Sequence, residues 1–270
     1  NLDTSMVGDA DSVLTGCVPE VAHAIQNTLE ESIQASVLSI VETLNKNGFE
    51  YLTKNLCLSG GVALNCPMNS RLWNTECFQN IHIEPHCDDG GLSIGAAQYV
   101  YRNIIDVEVE KSPLDITSSY AFLGPKKSGD INDILESQKD FLHWETAQDW
   151  THAAASAVAN NEVIAIFHGG YETGPRALGH RSIIANPGFA NNWEKVNLIK
   201  EREKWRPFAP SVLESELEHW FEGGPDTSPF MLFTYRVQAK KSEMLPAITH
   251  VDMTSRVQTV SELDTPLYQC

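Results

Sequence analysis

Basic side chains are concentrated in one stretch of an acidic chain. Residues 171–210 hold seven basic side chains against four acidic ones, whereas the whole chain has 19 basic and 36 acidic residues and a net charge of −17. An arginine fork grips phosphate oxygens at two points, and lysine adds a mobile point charge. Arg176 and Arg206 stand beside Gly-Pro and Pro-Phe-Ala-Pro corners, which a lattice of surface salt bridges does not explain. The stretch is a candidate small-anion site, with a solvated helix face as the alternative.

A later segment, residues 249–258, sets His250, Asp252 and Arg256 around a β-branched strand pattern. The alternative to a functional site is a strand with polar residues on one face. No serine or cysteine with a paired base is evident in the sequence. This favours direct group transfer over a covalent enzyme intermediate.

Two glycine-bearing loops follow predicted strands in the first third of the chain. Residues 58–65, Leu-Ser-Gly-Gly-Val-Ala-Leu-Asn, run from a strand into a helix. Glycines there let the backbone approach a phosphate, which a helix N-terminus attracts; a tight turn with no ligand is the alternative. In residues 86–97, Asp88 and Asp89 precede two glycines, and they either hold a divalent metal or cap the next helix. Asp89 is the better ligand candidate, because Asp88 can be used in the turn.

The composition argues against several classes of protein. The net charge of −17 disfavours a nucleic-acid partner. The sequence has no run of about 18 apolar residues to span a bilayer, and its start does not resemble a signal peptide. Six cysteines form no CxxC pair and no metal-finger spacing, which favours reduced thiols in a cytoplasmic enzyme. Because the chain starts at Asn1 and not at methionine, we expect it to begin inside a longer chain.

The spacing of apolar residues predicts an α/β protein with its loops at strand ends. The predicted elements of the first unit are a long amphipathic helix over 19–47, a buried strand over 55–58, a helix over 62–73, a strand over 81–83 and a helix over 91–101. Residues 102–119 lose this periodicity and are the predicted domain boundary. The second unit is predicted to begin near Tyr120.

The second unit is predicted to contain a helix over 150–160 and a strand over 163–167 that runs into the loop 168–176. The predicted domains are therefore residues 1–110 and residues 111–270.

Five strings in a fixed order carry a resemblance. They are LSGGVALN, DDGGLSIGAA, TGPRALGHRSI, REKWRPFAPSV and THVDMTSRVQTV. Together they closely resemble the carbamoyltransferase family of nodulation protein U, the cephamycin carbamoyltransferase and the tobramycin O-carbamoyltransferase, from about Val21 to Gln269.

The resemblance implies the C-terminal half of an actin-like ATPase (ASKHA) domain, followed by a YrdC-like α/β domain that is incomplete at its C-terminus. In that family the YrdC-like part joins carbamoyl phosphate to ATP, giving carbamoyl adenylate and pyrophosphate after phosphate is lost. The actin-like part binds the adenylate near Fe²⁺ or another divalent metal. It then transfers the carbamoyl group to a hydroxyl of a small natural-product or sugar-like acceptor.

The resemblance also implies roles for individual residues. Carbamoyl phosphate and the nucleotide would be handled by Arg176, Lys200, Arg206, Arg256 and His250, with Arg181 close by. The nucleotide site of the first part would include Ser59, Gly60, Gly61 and Asn65. Asp89 would be a metal ligand.

Two motifs of the family have no suitable counterpart in this sequence, an upstream His-x-x-x-His metal motif and a downstream Asn-Thr-Ser-Phe-Asn segment. We therefore expect an internal fragment of a longer enzyme. Two alternatives stay open, a noncatalytic nucleotide-binding relative and an enzyme of tRNA threonylcarbamoylation, although a −17 chain is a poor RNA binder. The oligomeric state is also open, with a homodimer as one option.

Overall fold

The computed structural model describes residues 17–105, 121–125, 131–261 and 267. The described chain is a mixed α/β structure of helices and small sheets. The helices are α1 (Val18–Lys46), α2 (Cys66–Trp73), α3 (Leu92–Tyr99), α4 (Ile131–Ser137), α5 (Trp150–Ala159), α6 (Asn191–Ile199) and α7 (Leu217–Trp220). The strands are β1 (Asn55–Leu58), β2 (Asn80–Ile83), β3 (Ile164–Phe167), β4 (Arg181–Ile184), β5 (Ser211–Leu213), β6 (Phe221–Glu222), β7 (Thr234–Val237), β8 (Thr254–Arg256) and β9 (Gln258–Val260).

The first unit is built on the parallel pair β1 and β2, in which Leu56 is opposite Ile81. Helix α2 lies between these strands in the chain, as a parallel crossover requires. Both strands were predicted from the sequence, and their parallel pairing agrees with the predicted α/β class. The prediction that β1 is buried was wrong, because Asn55 and Cys57 are exposed.

Helix α1 agrees with the helix predicted over 19–47, and Pro19 lies in its first turn. Its apolar stripe is not buried, since Ile25 is 66% exposed and Ile40 is 60% exposed. The helix instead joins α2 through polar contacts, among them a pair of amide hydrogen bonds, each 3.0 Å long, between Gln26 and Asn65.

The helix predicted over 62–73 forms in two pieces. A 3₁₀ turn covers Gly61–Leu64, and α2 starts afresh at Cys66. The cause is Asn65, whose side chain accepts a hydrogen bond from the Met68 backbone amide and so caps a new helix. The helix predicted over 91–101 corresponds to α3, which continues into a π-helical turn over Val100–Ile104.

The described part of the second unit contains three small sheets. Strands β3 and β4 are antiparallel, β5 and β9 are parallel, and β6, β7 and β8 form an antiparallel sheet. Helix α5 and strand β3 confirm the elements predicted over 150–160 and 163–167. The predicted boundary over 102–119 lies outside the described residues, apart from residues 102–105, and so does Tyr120. The division into domains therefore stays a prediction.

One hydrophobic core joins residues of both units. Ala63 and Ile83 from the first unit belong to the same buried cluster as Phe233 and Tyr235 from the second. Trp73 meets the Phe233 ring edge to face, with ring centroids 6.4 Å apart. Full burial of one such side chain contributes about 1.5–3 kcal/mol. The loop after β1 is thereby held against strand β7.

Polar contacts reinforce this junction. The buried Asn69 amide donates to the carbonyls of Ala63 and Leu232, at 2.8 and 2.9 Å. The Ser70 hydroxyl accepts from the Thr234 backbone amide at 2.8 Å. Because these hydrogen bonds are made across the junction, they help to fix the two units in register.

The described cysteines are free thiols, as the sequence predicted; they are Cys17, Cys57, Cys66, Cys77 and Cys87. In the described part of the chain, no helix is both long enough and apolar enough to cross a membrane.

Candidate anion-binding site

A cavity of about 920 Å³ opens among β3, β4, α6, β5 and the β8–β9 segment. It is lined by six cationic side chains, those of Arg176, Arg181, Lys200, Arg202, Arg206 and Arg256. No aspartate or glutamate lies among its described lining residues. A cluster of positive charges in a cavity whose lining holds no carboxylate favours an anionic ligand.

Arg256 is the most confined of these cations. It ends strand β8, and burial together with the positive charge of Arg176 lowers the pKa of its guanidinium. Its Nε atom is buried and has no hydrogen-bond partner. An unsatisfied buried donor costs about 1–3 kcal/mol, which an incoming anion would offset by accepting the bond.

Arg176 connects the cavity to the first unit. Its Nε donates to the Met231 carbonyl at 2.9 Å, and its Nη2 donates to the Leu64 carbonyl at 3.0 Å. The nearby Gly174 has a φ of +96°, and a β carbon placed on it would lie 2.0 Å from the Pro85 carbonyl oxygen. Only glycine fits this corner, which holds the arginine in place.

The loop after α6 is organised by Asn197, which is fully buried. Its side-chain amide donates to the carbonyls of Lys204 and Arg206, at 3.1 and 2.9 Å. Its oxygen accepts from Arg202 Nε at 2.5 Å. One amide therefore fixes both the course of the cationic loop and the direction of a guanidinium inside it.

Replacement of Asn197 by alanine should destabilise the chain by about 2–4 kcal/mol and weaken anion binding, because three polar groups lose a buried partner. Urea unfolding and calorimetric titration with pyrophosphate measure the two effects. Asn191→Ala, at the exposed start of the same helix, should change neither quantity. Equal effects from the two substitutions would show that Asn197 does not organise the loop.

Lys200 and Arg202 are partly desolvated by their neighbours, although Lys200 remains exposed to solvent. Desolvation lowers the pKa of both side chains, and for Lys200 the charge of Arg202 adds to the effect. The Arg202 guanidinium lies 4.4 Å from the centre of the Phe208 ring, a favourable cation–π contact. The sequence analysis named Lys200 for the site, but it gave Arg202 no role beyond its place in the basic stretch.

Arg206 lies at the rim of the cavity. Its Nε pairs with a Glu203 carboxylate oxygen at 2.5 Å, and 48% of its side chain is exposed. This hydrogen bond is the main reason that the pKa of Glu203 is lowered. A phosphate that binds Arg206 through this face must displace Glu203.

Arg181 is largely occupied by protein groups. Its guanidinium lies between the rings of Phe167 and Tyr171, at 3.6 and 4.2 Å from their centres. It also donates to the carbonyls of Gly169 and His180, at 3.1 and 2.8 Å. The structure thus gives Arg181 a part in shaping the wall of the cavity.

Glu172 is a further residue that sequence reasoning missed. One oxygen of its carboxylate accepts from the backbone amides of Leu178, His180 and Arg181, at 2.9–3.0 Å. A carboxylate that caps successive amides fixes a turn. The sequence does contain a signal, an acidic residue directly before Thr-Gly-Pro-Arg. It was missed because the stretch was considered only for its basic residues.

His250 lies behind the cavity and is not one of its described lining residues. Its Nε2 donates to the Phe208 carbonyl at 3.1 Å, since a carbonyl can only accept. This contact ties the segment around Phe208 to the turn before β8. The structure therefore places His250 where it supports the cationic loop.

A second cavity, of about 560 Å³, lies at the carboxyl ends of β1 and β2. Ser59, Gly60 and Asp89 line it, whereas Gly61 and Asn65 do not. Gly60 has a φ of +90°, and its amide donates to the Cys87 carbonyl at 2.8 Å. The structure thus brings three of the five residues proposed for this end of the molecule into one cavity.

The first of the two adjacent carboxylates takes part in the turn, as the sequence suggested. Asp88 accepts from the Gly90 amide at 3.0 Å and serves the turn. Within the described ranges, no group of three or more His, Cys, Asp or Glu side chains is arranged to hold a metal ion. His82, which has His-x-x-x-His spacing from His86, lies in β2 and pairs with Glu84 at 3.1 Å. The described residues alone do not make an iron site around Asp89.

Comparison with known proteins places both cavities in matched regions. A family model described as carbamoyltransferase N-terminus matches residues 10–98, and one described as carbamoyltransferase C-terminus matches residues 155–270. The chain belongs to the carbamoyltransferase family. The anion cavity is built from the segment that matches the C-terminal model, apart from Ala154 and from contacts that reach back to Leu64 and Cys66.

Three curated relatives illustrate the similarity. Nodulation protein NolO of Bradyrhizobium diazoefficiens is 39% identical over 218 residues, which are 79% of this chain and 39% of the relative. Nodulation protein NolNO of Sinorhizobium fredii is 37% identical, over 86% of this chain and 34% of the relative. Nodulation protein U of Azorhizobium caulinodans is 30% identical, over 92% and 41%. The chain thus spans well under half the length of these relatives.

Proposed function

We propose that this chain is part of an ATP-dependent O-carbamoyltransferase and that its cationic cavity binds carbamoyl phosphate and ATP. The observation that carries the proposal is the cavity lined by six cations, without a carboxylate among its described lining residues. Membership of the carbamoyltransferase family supports carbamoyl as the group that is moved. The chain as a whole has a net charge of −17, so a positively charged cavity differs from the rest of the molecule and would attract anions.

The cavity residues would offset the repulsion between two polyanions. Carbamoyl phosphate and ATP can react only when the two anions are held close together. Cationic side chains that are already in place lower the free-energy cost of doing so. Arg256 and Arg176 form the buried end of the cationic group, and Lys200 and Arg202 hold the loop side. Water would first cleave carbamoyl phosphate into carbamate and phosphate. A carbamate oxygen would then attack the α-phosphorus of ATP, pyrophosphate would leave, and carbamoyl adenylate would form.

The second cavity is proposed to receive this adenylate for transfer. Gly60, in a left-handed conformation, lets the backbone approach a phosphate, and Ser59 adds a hydroxyl. The acceptor hydroxyl would attack the carbamoyl carbon, and AMP would leave. In this proposal residues 1–110 are the C-terminal half of an actin-like domain and residues 111–270 are a YrdC-like domain.

Asp89 would contribute one oxygen to a divalent metal only together with ligands from outside the described residues. A single carboxylate does not hold a transition metal against water. No catalytic step is therefore assigned to a metal here.

Calorimetric titration of the chain with carbamoyl phosphate and with ATP tests the proposal. We expect both to bind, and we expect binding to weaken as salt is raised because the contacts are ionic. Circular dichroism should first show that the sample is folded. A folded sample that gives no heat with either ligand would contradict the proposal that the cationic cavity binds carbamoyl phosphate and ATP.

A further inference from the structure

A thiol lies directly behind the wall of the anion cavity. Cys66 is the first residue of α2 and only 5% exposed. Its sulfur accepts a hydrogen bond from Arg176 Nη2 at 3.2 Å, and the Arg256 guanidinium lies near enough to Cys66 and Arg176 to interact with both. Cys66 itself does not line the cavity, whereas both arginines do.

The thiol and Arg176 share their backbone partners. The Cys66 sulfur lies 3.4 and 3.3 Å from the carbonyl oxygens of Leu64 and Met231, either of which can accept its single thiol hydrogen. The same two carbonyls accept from Arg176. The sulfur is thus fixed by the two segments that also fix the arginine, one from the first unit and one from the second.

Two guanidiniums at close range repel each other, and the repulsion grows as water is excluded. Arg176 has two carbonyl acceptors of its own, but Arg256 has a buried Nε without a partner. A shared acceptor between the two forks reduces their repulsion and sets their relative direction. Sulfur is polarisable and accepts hydrogen bonds weakly, so it can do this without drawing the arginines away from an anion.

We propose that Cys66 is a positioning residue of the anion cavity, whose sulfur holds the guanidiniums of Arg176 and Arg256 side by side for one phosphate group. The inference rests on the proposed function, since it presumes that the cavity binds phosphate. In this proposal the arginines are positioned by the ability of the Cys66 sulfur to accept hydrogen bonds, and not by the volume of its side chain.

Substitutions that separate volume from hydrogen bonding test the proposal. Cys66→Val keeps an apolar side chain of similar size and removes the acceptor, so affinity for inorganic pyrophosphate should fall by about tenfold. Cys66→Ser keeps an acceptor and should remain within about threefold of the wild type. Cys66→Ala should bind pyrophosphate as weakly as Cys66→Val does. Because alanine is not branched, this variant shows whether the effect of valine comes from misfolding.

Leu72→Ala is the matched control, because Leu72 is a buried residue of the same helix, 1% exposed and absent from the cavity lining. It should lower the unfolding temperature at least as much as the Cys66 substitutions do and leave pyrophosphate affinity unchanged. Affinity losses that follow the unfolding temperature across all variants would overturn the inference. So would wild-type affinity in Cys66→Val and Cys66→Ala.

Wild-type binding of pyrophosphate is measured first, so that the two failures are distinguishable. A folded wild-type chain that does not bind contradicts the proposed function, and the positioning role falls with it. A wild-type chain that binds, with valine and alanine variants that bind equally well, contradicts only the role of Cys66.

Discussion

Arg256→Met is expected to weaken pyrophosphate binding by roughly a hundredfold and to raise the free energy of unfolding of the anion-free chain by about 1 kcal/mol. Burial and the charge of Arg176 lower the pKa of Arg256. The charged guanidinium is thus less favourable in the folded chain than in the unfolded one. Methionine fills similar space and removes that penalty, while the anion loses its most buried partner. Calorimetry and urea unfolding measure the two opposite changes.

Arg236→Met is the control for this prediction. Arg236 lies on the neighbouring strand β7, opposite Thr254, and is exposed outside the cavity lining. It should leave affinity and stability close to the wild type, as surface substitutions do. If Arg256→Met bound pyrophosphate as well as Arg236→Met does, the buried end of the cavity would not be the anion site.

Gly174→Ala is expected to destabilise the chain by at least about 3 kcal/mol. The added β carbon would meet the Pro85 carbonyl oxygen at 2.0 Å, and the φ of +96° is unfavourable for alanine. Neither the loop that leads to Arg176 nor the backbone at Pro85 can give way without opening the junction between the two units. Urea unfolding followed by circular dichroism measures the loss.

The same substitution at Gly95 provides the comparison. Gly95 lies within α3, and a β carbon there has open space around it. Gly95→Ala should therefore stabilise the chain by about 0.5–1 kcal/mol, as expected for a helical glycine. Similar stabilities for the two variants would mean that the packing at Gly174 is not as tight as the structure indicates.

Much of the local structure was readable from periodicity. Helix α1, helix α5 and strand β3 have repeats long or regular enough to predict their type. The exposure of α1 was not readable, since a stripe of apolar residues does not reveal what packs on it. The interruption at Asn65 was missed because a capping side chain can start a helix that apolar spacing would begin earlier.

The sequence predicted which residues lie at the candidate site better than it predicted what each residue does there. The sequence and its resemblance named Arg176, Lys200 and Arg256, and the structure brings their side chains to one cavity. The sequence did not predict that Asn197 would hold the loop. That role depends on three hydrogen bonds that form only when the chain turns back after α6. Nor could spacing alone show that Arg206 pairs with Glu203 at the rim.

The exchange of labelled pyrophosphate into ATP, in the presence of carbamoyl phosphate, tests the central claim most directly. It is measured with the chain, or with a longer protein that contains it, and with its Arg256→Met and Asp89→Ala variants. Adenylate formation in the cationic cavity predicts that exchange requires Arg256 and persists when Asp89 is replaced, since Asp89 lines the other cavity. Exchange that survives Arg256→Met and is lost in Asp89→Ala would contradict the account.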